Sequence, residues 1–207
     1  MSADMLSDGG FWPLFSTLVL QSAVVMGSPG PATTSAAAVG AAYGFGRSLA
    51  YVSGLVLGTV AVLAVVATGA LAVLMSVPRL GPLLIAASAA YMLYLAYRIA
   101  TAPPLALAGP EASRPSLAAG FLLAVANPKA YVAIAAVYAG VSFSRWSAAL
   151  DVPVKFAVLS LMIAVIHLVW LLAGSFLSGL FRDPASARVI NGVFAAVLVA
   201  ATVFSVL

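Results

Sequence analysis

The chain has 207 residues, 64% of them hydrophobic and 7% charged, where a soluble domain carries about 25% charged residues. This composition excludes a soluble globular domain, and the apolar stretches are too long for the ~10-residue alternating strands of a membrane barrel. The formal charge of +4 comes from nine Lys and Arg scattered singly along the chain, a pattern of span ends rather than of a nucleic-acid surface.

Asp4 and Asp8 precede the first apolar run, where a signal peptide would be positive, so that run is expected to stay in the mature protein. Segment one extends from Phe11 to about Tyr43, with no charge between Asp8 and Arg47. Ser28-Pro29-Gly30-Pro31 divides it into Phe11–Met26 and Ala32–Tyr43, because proline lacks an N–H and clashes with the preceding turn. Gln21 reads as an interhelical hydrogen-bonding residue. Segment two spans Ser48 to Ser76, and its Gly54 and Gly58 have the four-residue spacing of a close helix contact. After the turn Val77-Pro78-Arg79, segment three covers Leu80–Tyr97 and ends in Tyr91, Tyr94, Tyr97 and Arg98, the marks of a membrane interface.

Residues 101–115 hold Pro103-Pro104 and Gly109-Pro110 and are too rich in breakers to span. They form a connecting loop between a first three-helix repeat, residues 1–100, and a second, residues 116–207. Segment four, Ser116–Phe143, is interrupted at Asn127-Pro128-Lys129. Arg145, Asp151 and Lys155 mark the next turn. Segment five covers Phe156–Phe181 with His167 inside it, and segment six covers Val189–Leu207 after the turn Arg182-Asp183-Pro184.

The predicted fold is therefore an all-α integral membrane protein of six transmembrane helices. Three spans per half is an odd number, so the second half enters the bilayer from the opposite face. The first helix of each half is broken, and Asn127-Pro128 follows Pro29-Gly30 by roughly a hundred residues. Two broken helices at matching places in inverted halves point to a binding site near the bilayer midplane. Arg47, Arg98, Arg114, Arg182 and Arg188 fall on one side, and Arg79, Arg145 and Lys155 on the other. The richer side is expected to be cytoplasmic, with both termini outside.

At this point the chain resembles the LysE/RhtB family of amino-acid exporters. The resemblance rests on Pro29-Gly30-Pro31, on Gly44-Phe45-Gly46-Arg47 followed by Gly54 and Gly58, and on Ala90 through Arg98. Gly120-Phe121-Leu122, Asn127-Pro128-Lys129 and Asn191-Gly192 continue it almost to the end of the chain. One departure is Thr59, which stands where many relatives carry an acid. The resemblance implies efflux of amino acids or related metabolites across the inner membrane, driven by the proton gradient.

A zwitterion needs donors for its carboxylate and acceptors for its ammonium, and a broken helix exposes both. The candidate substrate-binding residues are Ser28, Pro29, Gly30, Pro31, Thr33, Thr34, Asn127, Pro128 and Lys129. The N–H groups of 32–34 and 130–132 are expected to face an anion, and the carbonyls of 26–28 and 125–127 a cation. Gly30 lets backbone and ligand approach closely. Lys129 is a charge well inside an apolar segment, so it needs a wet cavity or a partner. The plainer readings are kink prolines, a snorkelling Lys129, and hydroxyls of Ser28, Thr33 and Thr34 bonded back to their own helix.

For coupling, the candidates are His167 and Asp151. His167 is the one side chain with an unperturbed pKa near neutrality, and its alternative role is a hydrogen bond to a neighbouring helix. Asp151 has an alternative partner in Lys155, four residues on. The partners expected are a small-molecule substrate (an amino acid, whether small neutral, basic or aromatic, or a derivative), protons and membrane lipid, with no cofactor and no nucleic acid. A homodimer fits the habit of small six-span transporters. A cation exporter on the same scaffold is the second reading, although borderline metals want His or Cys ligands and the chain has one His and no Cys. A membrane-embedded enzyme lacks its converging acids and nucleophile.

Overall fold

A computed structural model describes residues 11–70, 116–143 and 148–176 continuously, with scattered positions between 76 and 101 and between 185 and 203. All regular structure among the described residues is helical. The turns at 77–79 and 182–184, the loop 102–115, Tyr91, Arg98 and Asn191 lie outside the described residues. So do spans three and six as continuous elements, and with them the six-span inverted repeat.

Helix α1, Phe11–Gln21, runs into a single π-helical turn, Ser22–Met26. The Gly27 N–H closes that turn on the Ser22 carbonyl at 3.3 Å. The chain then breaks at Ser28-Pro29-Gly30 and restarts as α2, Pro31–Tyr43, at an angle of 69°. Pro31 opens α2 at a position whose N–H has no intrahelical partner in any case. Gly44 turns the chain with φ of 74°, a conformation that strains any side chain. Helix α3, Phe45–Ala67, is long and apolar enough to cross a membrane.

The second half repeats the pattern. Helix α4, Leu117–Val125, starts where the Ser116 hydroxyl accepts the Ala119 N–H at 3.1 Å. The chain breaks at Asn127 and restarts as α5, Pro128–Gly140, bent by 63° from α4. Helix α6, Ala148–Phe176, is the second helix long and apolar enough to cross a membrane. It begins well before the expected Phe156. Asp151 and Lys155 therefore lie on a helix and not in a turn. The reason is local: an acid suits the positive first turn of a helix, and the pair closes an i,i+4 ion bridge of 2.8 Å.

Two close seams hold the helices together. Along α3–α4, a methyl group on Gly54 would strike the Leu117 carbonyl, and one on Gly120 would strike the Tyr51 carbonyl. A methyl on Gly58 would come within 2.7 Å of both the Phe121 carbonyl and the Ala124 side chain. Along α2–α6, Gly40 and Gly174 meet the carbonyls of Leu171 and Ala37 in the same way. Small residues give this backbone-to-backbone packing where lipid provides no hydrophobic drive. Leu18, Leu63, Ile134, Leu159 and Ile163 fill the core between α1, α3, α5 and α6. Trp12, Val24, Leu57, Leu122, Val132, Leu161 and Phe176 are exposed, which leaves an apolar outer surface suited to hydrocarbon.

Candidate functional site

The two helix breaks come together. Lys129, the second residue of α5, reaches across to the break after α1. Its ammonium donates to the Ser28 carbonyl at 2.7 Å, the Ser28 hydroxyl at 2.8 Å and the Pro29 carbonyl at 2.9 Å. All three donors of the ammonium are thereby used. A methyl on Gly30 would lie 2.7 Å from Lys129 Cδ and 2.8 Å from its Nζ. The missing side chain at Gly30 thus clears a path for the lysine stem.

Several other groups freed at the breaks also have partners. The Trp170 indole donates to the Gly27 carbonyl at 3.0 Å. The Tyr131 hydroxyl donates to the Val125 carbonyl at 3.0 Å. Ser28 Oγ donates to the Val25 carbonyl at 2.8 Å. Thr33 Oγ1 accepts the Gly30 N–H at 2.9 Å, and Thr34 Oγ1 donates to the Gly30 carbonyl at 2.7 Å. Asn127 caps α5, its Oδ1 accepting the Lys129 N–H at 3.2 Å.

These bonds correct one expectation. At the first break the carbonyls of Gly27, Ser28 and Pro29 do not wait for a cation from outside; Lys129 and Trp170 already serve them. The hydroxyls of Ser28, Thr33 and Thr34 are bonded to their own backbone, the plainer of the two readings. The reason lies in the cost of leaving buried polar groups open in hydrocarbon.

Beside this junction lies a cavity of about 40 Å³, room for about three waters. Its polar lining is Gly30, Thr33, Thr59, Asn127, Lys129 and His167. The apolar wall includes Met26, Ala130, Ile134, Ile163 and Ile166. No acid is among the residues that line it. Pro29 is exposed, and Pro31 and Pro128 open the two half-helices. Thr34 is buried beside the cavity without lining it.

His167 is 4% exposed. Its Nδ1 sits 2.7 Å from the Ile163 carbonyl. A carbonyl oxygen only accepts, so Nδ1 carries a proton, and in the neutral ring Nε2 is then the lone pair. Nε2 is buried and has no hydrogen-bond partner among the described residues. Asp151 is elsewhere. Its two oxygens bind the Lys155 ammonium and the Phe143 N–H, the latter at 3.0 Å. Lys155 also donates to the Tyr138 and Val141 carbonyls at 3.3 and 3.2 Å. This group of bonds fastens the end of α5 to the start of α6, away from the cavity.

Sequence reasoning missed Trp170, Tyr131 and the place of Thr59. Trp170 lies three residues after His167, and that spacing puts both on one helix face; a tryptophan beside a buried histidine was the available signal. Thr59 was noted as a departure from relatives, and the fold sets it in the cavity wall, its Oγ1 donating to the Leu55 carbonyl at 2.8 Å.

No curated protein and no solved structure matches this chain. A family model does, that of the LysE type translocator, over residues 23–206. The matched range contains both helix breaks, every polar residue lining the cavity and His167, and so the chain belongs to the LysE type translocator family and is a multi-pass membrane transport protein.

Proposed function

We propose that this chain exports amino acids or related small zwitterions from the cytoplasm in exchange for protons. The observation that carries the reading is the cavity at which both helix breaks meet beside the Lys129 ammonium. The partners of that ammonium are three neutral oxygens, and no acid lines the cavity. A charge in hydrocarbon faces a wet cavity or a partner, and a substrate carboxylate near the ammonium would add the counter-charge that its three neutral oxygens do not. The N–H groups of Ala32 and Thr33 open α2 on the same side, where a helix start favours an anion. The aliphatic wall suits a small uncharged side chain. A basic amino acid would bring a second cation next to Lys129.

In this reading six spans form two inverted repeats in the inner membrane, with both termini outside. The broken helices alternate access to the cavity. Everted vesicles with an acid interior, offered a panel of labelled amino acids, are expected to accumulate small neutral ones at least about tenfold over arginine and lysine, and to release them when the gradient collapses. If no amino acid in the panel accumulates, the reading is wrong.

Gly30→Ala tests the junction itself. The obstacle to the new methyl is the movable end of Lys129, so the fold is retained while the ammonium withdraws. Export is expected to fall about tenfold, the equivalent of roughly one charge-assisted hydrogen bond. Wild-type uptake by this variant would separate Gly30 from the site.

A further inference from the structure

We propose that Nε2 of His167 is a single acceptor position used in turn by the substrate's ammonium group and by the transported proton. The inference rests on the export reading above and adds to it the atom at which cargo and proton compete.

Several of the carbonyls that a broken helix usually offers to a cation already hold a donor here. Lys129 and Trp170 serve those of Gly27, Ser28 and Pro29, and Tyr131 serves that of Val125. An ammonium entering the cavity gains from a further acceptor. Nε2 of His167 is a buried acceptor that no donor serves among the described residues. It belongs to a residue that lines the cavity. Its ring is fixed by the Nδ1 bond to Ile163, so the lone pair is held in one place.

The groups around it are few. From α5 the cavity receives the Lys129 ammonium and the Asn127 amide, and from α2 and α3 the hydroxyls of Thr33 and Thr59. The π turn contributes Met26. On α6 itself the nearest charged residue is Lys155, twelve residues earlier in the chain, or about 18 Å along the helix axis, and it is ion-paired to Asp151. Lys129 is thus the charged group that shares the cavity with the ring, and its ammonium is bonded to Ser28 and Pro29 instead.

Competition follows from the electron count. A proton that binds Nε2 consumes the lone pair and makes an imidazolium. That cation no longer accepts an N–H and repels an ammonium, which leaves. Loss of the proton restores the lone pair and the next ammonium binds. One site with two exclusive cationic occupants couples their opposite movements without a separate relay.

The test uses the full chain in proteoliposomes, with glycine, alanine, serine and threonine as labelled probes in counterflow. In the wild type, affinity for whichever of these is carried should weaken about tenfold per pH unit on the acid side of roughly pH 5–8, while the maximal rate holds. His167→Gln keeps an acceptor oxygen and takes no proton. It should bind the probe several-fold more weakly at the alkaline end, lose the pH dependence, and fail to accumulate probe in a pH gradient. Wild-type affinity that is flat across this range overturns the inference, even where the variant does not assemble. So does gradient-driven accumulation by His167→Gln. Failure of the wild type to carry any of the four removes the export reading and the inference with it, whereas carriage without competition removes the inference alone.

Discussion

Lys129→Met is expected to abolish export while leaving the protein in the membrane. Methionine keeps the length and apolar bulk of the stem, so the passage beside Gly30 stays filled. What disappears is the ammonium and its three bonds to Ser28 and Pro29. A hydrogen bond to a charged group is worth about 1.5–3 kcal/mol. The loss frees the two carbonyls of the first break and uncouples the two half-helix junctions. It also removes the counter-charge proposed for the substrate carboxylate. Transport of labelled small amino acids should drop by at least about a hundredfold, with an unchanged amount of protein in the membrane fraction. Lys129→Arg should recover little, because a planar fork does not converge on three oxygens as a compact ammonium does. Undiminished transport by Lys129→Met would show that the charge has no part in the site.

The second large effect is on assembly. Gly54→Val puts a branched side chain where even a methyl would strike the Leu117 carbonyl. The obstacle is backbone on a packed helix, so it does not swing aside. Overpacking of this kind costs about 3 kcal/mol, and the α3–α4 seam is expected to open. Folded protein recovered from the membrane should fall several-fold, and its apparent melting temperature with it. Gly46→Ala is the matched control. Gly46 has open space around it, and alanine is the better helix former by about 1 kcal/mol. Equal recovery of Gly54→Val and Gly46→Ala would mean that the seam does not matter for assembly.

The parts of this fold that were legible in the sequence are those governed by local chemistry. Proline announces its own break, so Pro29, Pro31 and Pro128 located both bends without any knowledge of neighbours. The spacing of Gly54 and Gly58 announced a close contact. Neither said which helix would supply the other face, because that is decided by three-dimensional packing. The start of α6 was missed because Arg145, Asp151 and Lys155 read as a polar turn, whereas two of them satisfy each other on a helix. At the site, Asn127, Lys129 and His167 stood out as polar residues in apolar surroundings. The partners of Lys129 lie 100 and 101 residues away, and a bond of that range leaves no mark on local sequence. The hydroxyls were ambiguous for the opposite reason. Ser28, Thr33 and Thr34 had acceptors within a few residues, and those nearby acceptors won.

The two glycine seams have a consequence for how the molecule is made. Each joins a helix from before the central loop to one from after it: α3 to α4, and α2 to α6. During synthesis α2 and α3 emerge before the helices that meet their small-residue strips. They must wait in the lipid until the later helices arrive. A gene split at the loop would yield two fragments, each carrying half of every seam, so neither is expected to survive in the cell unless the other is produced beside it.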